Sequence, residues 1–196
     1  MSQRSRWLIL ITIALGLLLG TGYLFNQAGP AEPYPGMGGD FTLNSSQGPV
    51  SLKDFRSKVV AIYFGYTSCP DICPTSLSAL GQALKQLDEH ELSQVQGLFI
   101  SVDPERDTLD KLAEYAKYFH PGILGVTADL DQLQDIAKNY GAFFHKTEIE
   151  GSGIGYAVDH SSVIFLVDKQ GVLQQMIQHS NSPQRILEQI REVMAL

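Results

Sequence analysis

The sequence predicts an α/β fold for most of the chain, preceded by a single N-terminal transmembrane helix. Apolar runs rich in β-branched and aromatic residues alternate with stretches whose apolar residues recur every three or four positions, as strands alternating with helices do. An uncharged apolar stretch, residues 7–25, precedes them. The formal net charge of −7, with no basic cluster beyond the N-terminus, makes nucleic acid and anionic lipid surfaces poor candidate partners.

Residues 1–27 are predicted to be a membrane anchor. Arg4 and Arg6 precede the 19 uncharged residues 7–25, which as a helix span roughly 28 Å of a hydrocarbon core about 30 Å thick. The arginines place the N-terminus in the cytoplasm. A cleaved signal peptide is the alternative, but the apolar run exceeds the usual length of a signal-peptide core. The segment ahead of the helix is too short for an organelle transit peptide, so we expect a single-pass protein of a bacterial inner membrane with its soluble domain on the periplasmic side.

Two further segments complete the predicted domain organisation. Residues 28–39 contain Pro30, Pro33 and Pro35, several glycines and no apolar periodicity, which predicts a linker. Residues 40–196 are long enough for one globular domain with a full core. This domain begins with a predicted hairpin, in which residues 40–43 pair with residues 50–52.

A strand, a helix, a second strand and a second helix follow the hairpin. Residues 59–64 are apolar, β-branched and aromatic, as in a buried strand, and the leucines of residues 75–90 recur at helical spacing. Residues 95–102 first alternate between apolar and polar side chains and then become continuously apolar, which predicts the second strand. Thr108 or Asp107 is suited to cap the second helix, which is predicted to run to residue 119.

Shorter elements come next. Residues 123–127 form a predicted strand, and apolar residues at helical spacing over residues 130–140 predict a helix that Gly141 ends. Residues 142–148 are expected to be extended, and residues 150–155 are expected to form a flexible turn.

The chain ends in a predicted hairpin and helix. Residues 163–167 and 172–177 flank a polar Asp-Lys-Gln-Gly turn, and Ser182 caps a last amphipathic helix. Strands that alternate with helices and close with a hairpin and a helix predict a thioredoxin-like α/β sheet.

Both cysteines of the chain, Cys69 and Cys73, lie in the connection between the first buried strand and its helix. Pro74 is suited to the first helical position, which makes Cys73 the predicted cap. Free backbone N–H groups and the helix dipole lower thiol pKa values at such a position, so we expect two thiolates in an exposed turn. The spacing allows a disulfide or chelation of a soft metal, and it does not choose between them.

His160 is predicted to reach the same place from a distant part of the chain. Ligands bind at the carboxyl ends of parallel strands in open sheets of this kind, which is where Cys69 and Cys73 fall. If the strand over residues 163–167 runs antiparallel to the central strand, its beginning comes to that edge, and His160 stands three residues before it. The topology thus offers two thiolates and an imidazole.

Three sequence segments, residues 67–74, 101–108 and 159–161, resemble the Sco/SenC family of copper-binding proteins when taken together with the N-terminal anchor. The resemblance implies a thioredoxin-like fold and one copper ion held by Cys69, Cys73 and His160. It also implies a role in assembling the dinuclear copper (CuA) centre of cytochrome c oxidase. The implied partners are the oxidase subunit that carries this site, a thiol reductant and, as a further candidate, another copper chaperone.

The residue chemistry agrees with copper. Two thiolates and one imidazole suit Cu(I), and they accommodate Cu(II) with an added ligand. Structural zinc normally takes four protein ligands, and the absence of a third cysteine also argues against an iron–sulphur cluster. The predicted function is therefore a membrane-tethered copper metallochaperone, which needs no catalysis of its own.

The alternative is a thiol-disulfide oxidoreductase that reduces the cysteines of the oxidase copper site or signals redox state, with Cys69 and Cys73 as its redox pair. Thioredoxin-type enzymes use a C-x-x-C motif faced by a cis-proline. Here the cysteine spacing is one residue longer, and no proline occurs between Pro121 and Pro183. A thiol peroxidase is disfavoured because Thr67 and Cys69 do not have the Thr-x-x-Cys spacing usual in those enzymes.

The remaining histidines, Asp103, Asp159 and three aromatic residues are expected to have mainly structural roles. The remaining histidines lack a motif that places them at the site, so surface or partly buried roles are expected for His90, His120, His145 and His179. Asp103 either tunes the site or pairs with Arg106, and the sequence leaves both open. Asp159 is not expected to orient His160, because adjacent residues of an extended chain point in opposite directions. Tyr63, Phe64 and Tyr66 are expected in the core or at its rim.

Overall fold

The computed structural model describes Gly16 and residues 33–148, 155–179 and 182–196. Apart from Gly16, the predicted anchor lies outside these residues, and none of the described helices has the length and apolar character needed to cross a membrane. Tyr34 and Met37 pack against the core of the compact unit Glu32–Leu196. Residues 33–39, which the sequence assigns to the linker, therefore contact the domain.

The strands and helices of the described residues alternate along the chain. The strands are β1 (Thr42–Ser45), β2 (Gly48–Ser51), β3 (Val59–Gly65), β4 (Val95–Ser101), β5 (Ile123–Val126), β6 (Phe144–Glu148), β7 (Tyr156–His160), β8 (Val163–Val167) and β9 (Leu173–Gln178). The helices are α1 (Ile72–Leu84), α2 (Glu89–Ser93), α3 (Leu109–Phe119), α4 (Leu130–Asn139) and α5 (Pro183–Met194), with a 3-10 turn at Leu52–Phe55.

The central sheet has five strands in the order β5-β4-β3-β8-β9. Strands β3, β4 and β5 are parallel, whereas β8 runs antiparallel to β3 and to β9. Every residue of β3 is buried, as its continuous apolar sequence predicts for a central strand covered on both faces. The predicted α/β architecture is therefore confirmed, and the condition that β8 runs antiparallel to β3 is met.

Two antiparallel pairs lie outside this sheet. The β1–β2 hairpin matches the predicted one with shifted ends, and Gly48 adopts φ 118° at its turn. Strand β6 falls within the segment predicted to be extended, and it pairs with β7, which the sequence analysis did not predict. The predicted turn over residues 150–155 lies outside the described residues except for Gly155.

The helix predicted over residues 75–90 has different bounds in the structure. Helix α1 begins three residues earlier, at Ile72, and ends at Leu84. A separate short helix, α2, follows because Asp88 caps it in a reciprocal pair with Glu91: each side chain accepts from the other residue's backbone N–H. Leucine spacing alone does not show this break, since Leu87 continues the helical period across it.

Candidate metal centre

The cysteine segment joins the buried end of β3 to the first turn of α1. Cys73 is the second residue of α1 and is fully buried, whereas Cys69 lies in the preceding loop and is half-buried. The predictions that Cys73 caps the helix and that both cysteines occupy an exposed turn are therefore wrong. Pro74 is tolerated at the third helical position because the first four N–H groups of a helix have no intrahelical partner.

Gly65, the last residue of β3, makes room for the buried sulphur. A Cβ atom built on Gly65 would lie 2.6 Å from Cys73 Sγ and 3.0 Å from Phe99 Cε2. Only glycine lets the Cys73 sulphur approach the strand this closely, because real Cβ contacts are longer than these. The glycine therefore sets how deep this sulphur sits.

His160 ends β7 and meets the cysteines from the other side. Its Nε2 atom lies 3.2 Å from Cys73 Sγ, and its Nδ1 atom lies 3.1 Å from the Ser161 carbonyl oxygen. An Nδ1–H that donates to this carbonyl orients the ring so that Nε2 faces the sulphur. The rings of Tyr63 and Tyr66 pack edge-on against the imidazole, with centroids 6.1 and 5.8 Å away. The ring is thus held on three sides.

The structure brings together the three side chains singled out by the sequence. The ligand atoms of Cys69, Cys73 and His160 lie within 4.8 Å of one another, and no other such cluster of histidine, cysteine and acidic side chains occurs among the described residues. The two cysteines are not bonded to each other. Bonds of about 2.0–2.3 Å from a metal to sulphur and nitrogen are compatible with these separations.

The two sulphurs differ electrostatically in the metal-free protein. The pKa of Cys69 lies well below that of a free thiol, chiefly because the Cys73 thiol donates a hydrogen bond to it, with further help from His160 and backbone N–H groups. The pKa of Cys73 is raised by that same hydrogen bond and by burial. The expectation of two thiolates is therefore corrected to one thiolate that shares a proton with its neighbour. Metal binding must displace that proton.

Asp107 fastens the loop that leads to the cysteines, a role the sequence analysis missed. Its buried carboxylate accepts hydrogen bonds from the Thr67 backbone N–H at 2.9 Å and from Ser101 Oγ at 2.7 Å, and Lys111 Nζ lies 3.1 Å away. Thr108 caps α3, so Asp107 is free to face the loop. The signal was present in the sequence, because Asp107 belongs to the second of the three family-like segments.

Asp103 and Arg106 connect the same region to the strand that carries His160. Asp103 is fully buried and pairs with the Arg106 guanidinium, which also donates to the Tyr156 carbonyl at 2.9 Å and lies 3.7 Å from the centroid of the Tyr156 ring. The Tyr156 hydroxyl donates back to Asp103 at 2.7 Å. The predicted ion pair with Arg106 is thus confirmed, whereas an effect of Asp103 on the site stays a prediction.

Asp159, His120 and Tyr66 have structural roles outside the cluster of cysteines and His160. Asp159 accepts from Thr147 at 2.6 Å and pairs with His145 at 3.2 Å, so it does not orient His160, as expected. His120 is buried and accepts the Gly122 N–H at 3.0 Å, a structural role. Tyr66 is buried, which places it in the core.

The sequence resembles proteins of one family over most of its length. The family model described as SCO1/SenC matches residues 30–195. The chain belongs to the SCO1/SenC family. A SCO2-like protein of Rickettsia conorii is 34% identical over 197 residues, covering 93% of this chain and 96% of that protein. The mitochondrial SCO2 homologue of Bos taurus is 40% identical over 159 residues, covering 80% of this chain and 59% of that protein.

Solved structures of the family superpose on the domain. Arabidopsis thaliana ScoI with copper bound has a TM-score of 0.74 at 34% identity, covering 82% of this chain and 99% of that one. Yeast Sco1 with copper bound has a TM-score of 0.72 at 35% identity, covering 81% and 88%. The apo Sco1 protein of Thermus thermophilus has a TM-score of 0.73 at 37% identity, covering 80% and 91%. The thioredoxin-like fold of the family is thus shared by this chain.

Proposed function

We propose that the chain is a membrane-tethered copper metallochaperone that holds one copper ion through Cys69, Cys73 and His160. The observation that supports this most strongly is the convergence of two sulphur atoms and one imidazole nitrogen within 4.8 Å. Such a soft ligand set suits Cu(I), and Cu(II) with an added ligand. Relatives at 34% and 35% identity have been solved with copper bound, which supports the same cargo here.

Copper leaves the site by ligand exchange that begins at Cys69. Cys73 is fully buried, whereas Cys69 opens onto a cleft of about 450 Å³ that His160 also lines. Ile72 and Phe143 stand at this cleft with 37% and 59% of their surfaces exposed. Exposed apolar side chains beside a functional site are typical of a protein docking surface. An incoming ligand of the acceptor therefore meets Cys69 first.

The proposed acceptor is the cytochrome c oxidase subunit that carries the CuA site, as the family resemblance of three sequence segments implies. Residues 1–27 would hold the domain at the outer face of a bacterial inner membrane. An extracytoplasmic compartment is oxidising, so Cys69 and Cys73 must be reduced before they bind metal. A thiol reductant is therefore a required partner.

Copper binding by matched histidine variants tests this proposal. The full chain is purified in mild detergent, reduced, and titrated with Cu(I) against a chromophoric chelator. We expect His160→Ala to weaken binding by tenfold or more, because it removes one of three ligands. His145→Ala is the control, since this exposed histidine lies on β6 beside the same strand and pairs with Asp159. Wild-type affinity in His160→Ala would contradict the proposed ligand set.

A second candidate function is thiol-disulfide exchange with the oxidase copper site. The observation in its favour is that Cys69 is half-buried at a cleft and has a lowered pKa, which are the features of an attacking thiolate. Reduction of an oxidised CuA domain by the full chain distinguishes the two functions. If the chain is an oxidoreductase, reduction requires Cys69 and Cys73 and persists at least in part in His160→Ala. If it is a metallochaperone, copper transfer to the reduced domain requires all three residues.

A further inference from the structure

Three buried hydroxyl groups, on β3, α1 and α3, have no hydrogen-bond partner among the described residues. Tyr63 on β3 and Ser76 on α1 are 0% and 1% exposed, and neither hydroxyl has a hydrogen-bond partner among the described residues. Tyr115 on α3 has a third such hydroxyl. Leaving a buried hydroxyl unpaired destabilises a protein, and native structures contain few of them. An unpaired hydroxyl next to a candidate metal ligand therefore calls for an explanation.

Tyr63 is the member of this group that reaches Cys73. A Cβ atom built on Gly65 would contact both Cys73 Sγ, at 2.6 Å, and Tyr63 Cε1, at 3.2 Å, so the sulphur and the phenol ring flank the same small space. The hydroxyl lies close enough to Cys73 and Ser76 for both to perturb its pKa, although neither is in hydrogen-bond geometry. Tyr63 also packs edge-on against His160, so its ring is fixed.

We propose that Tyr63 is a positioning residue whose hydroxyl stays unpaired in the metal-free protein and donates a hydrogen bond to Cys73 Sγ once that sulphur is a metal-bound thiolate. The inference rests on the proposed copper function. A metal-bound cysteine is a thiolate, which accepts hydrogen bonds far better than a thiol. The Tyr63 hydroxyl is therefore positioned to donate to the Cys73 thiolate rather than to the Cys73 thiol.

Such a donor tunes the metal as well as the sulphur. A hydrogen bond to a thiolate withdraws electron density from it, which weakens its donation to Cu(II) relative to Cu(I) and raises the reduction potential of the bound ion. The Tyr63 hydroxyl thus favours Cu(I) at the site. Removing it should make Cys73 more electron-rich and shift the balance toward Cu(II).

Tyr63→Phe removes only the hydroxyl, so it isolates this contribution. The full chain in detergent is titrated with Cu(I) against a chelator and with Cu(II) by absorption. We expect about tenfold weaker Cu(I) binding, because the lost bond is charge-assisted. The sulphur-to-Cu(II) charge-transfer band should move to longer wavelength, and the reduction potential should fall. In urea, the metal-free variant should unfold at a midpoint no lower than that of the wild type.

Tyr115→Phe is the matched control, because it removes a buried unpaired hydroxyl from the neighbouring helix α3. It should leave the Cu(I) affinity and the absorption band unchanged. Equal effects of the two variants, or an unchanged Tyr63→Phe protein, would overturn the inference while leaving the copper function standing. A lower urea midpoint for metal-free Tyr63→Phe would also overturn it, since the hydroxyl would then have a partner without metal. A wild-type chain that binds no copper would overturn both proposals.

Discussion

Gly65→Ala tests whether the depth of the Cys73 sulphur controls the metal site. The added methyl would lie 2.6 Å from Cys73 Sγ, 3.0 Å from Phe99 Cε2 and 3.2 Å from Tyr63 Cε1. Non-bonded heavy atoms rest about 3.5–4.0 Å apart, so the sulphur or the strand must move by about 1 Å. All three neighbours are fully buried, which leaves no free space to absorb the methyl.

Gly65→Ala is expected to lower both the free energy of unfolding and the affinity for copper. Overpacking a dense core typically lowers the free energy of unfolding by about 1–3 kcal/mol, and we expect a loss of about 2 kcal/mol here. Disturbing the groups that position a metal ligand typically costs about 10- to 100-fold in affinity. The same loss is expected for copper, because the Cys73 sulphur can no longer sit 3.2 Å from His160 Nε2.

Urea unfolding of the metal-free protein and Cu(I) competition measure the two parts. Gly122→Ala is the control, since its methyl would meet only the ring of His120, at 3.0 Å, away from the site. If Gly65→Ala matched the wild type in both stability and copper affinity, the space around Cys73 would not be as tight as described. If it lost stability but bound copper normally, the glycine would serve packing alone.

Two further substitutions probe the supports of the site. Asp107→Asn replaces one accepting oxygen with an amide donor that must face either the Thr67 N–H or the Lys111 ammonium. We therefore expect urea unfolding to show a loss of about 2–4 kcal/mol, and an unchanged midpoint would contradict this role of Asp107. Arg106→Gln breaks the contact that holds the Tyr156 backbone, and it should weaken Cu(I) binding about tenfold while Cys69 alkylation stays normal.

The lowered pKa of Cys69 means that the folded protein holds fewer protons than the unfolded chain below the ordinary thiol pKa of about 8.5. Its stabilising contribution is present above that value and is lost as the pH falls through the lowered pKa. Iodoacetamide labelling of Cys69, mapped by mass spectrometry, should therefore vary little between pH 6 and 8. A tenfold rise per pH unit would refute this.

The central architecture could be predicted from the sequence because its signals are local. Strand β3 is a continuous run of apolar residues, and its burial on both faces is what such a run predicts. The sequence analysis took an antiparallel course of β8 relative to β3 as a condition, and this condition, which the structure meets, places His160 at the cysteine edge. These inferences need only periodicity, turn chemistry and the geometry of a sheet.

The details of the site could not be predicted in the same way, because they depend on contacts across the fold. Helix α1 starts at Ile72, although a residue before a proline, such as Cys73, disfavours helical geometry. The buried packing of the Cys73 sulphur against Gly65 stabilises this helical conformation. The unequal pKa values of Cys69 and Cys73 arise from one hydrogen bond between them. Neither effect has a local sequence signal.

The location of His160 explains why the supports of the site lie far from the cysteines in the sequence. His160 ends β7, which pairs with β6 and belongs to no ladder of the central sheet. Side chains help to hold the β6–β7 pair against the domain, among them Arg106, which contacts Tyr156, and Lys146, which pairs with Glu105. Because a metal ion bonded to Cys73 and His160 would join the same two parts, copper binding and the attachment of this pair must stabilise each other. If the proposed site holds copper, the buried Asp103–Arg106 pair therefore contributes to the affinity for the metal without supplying a ligand.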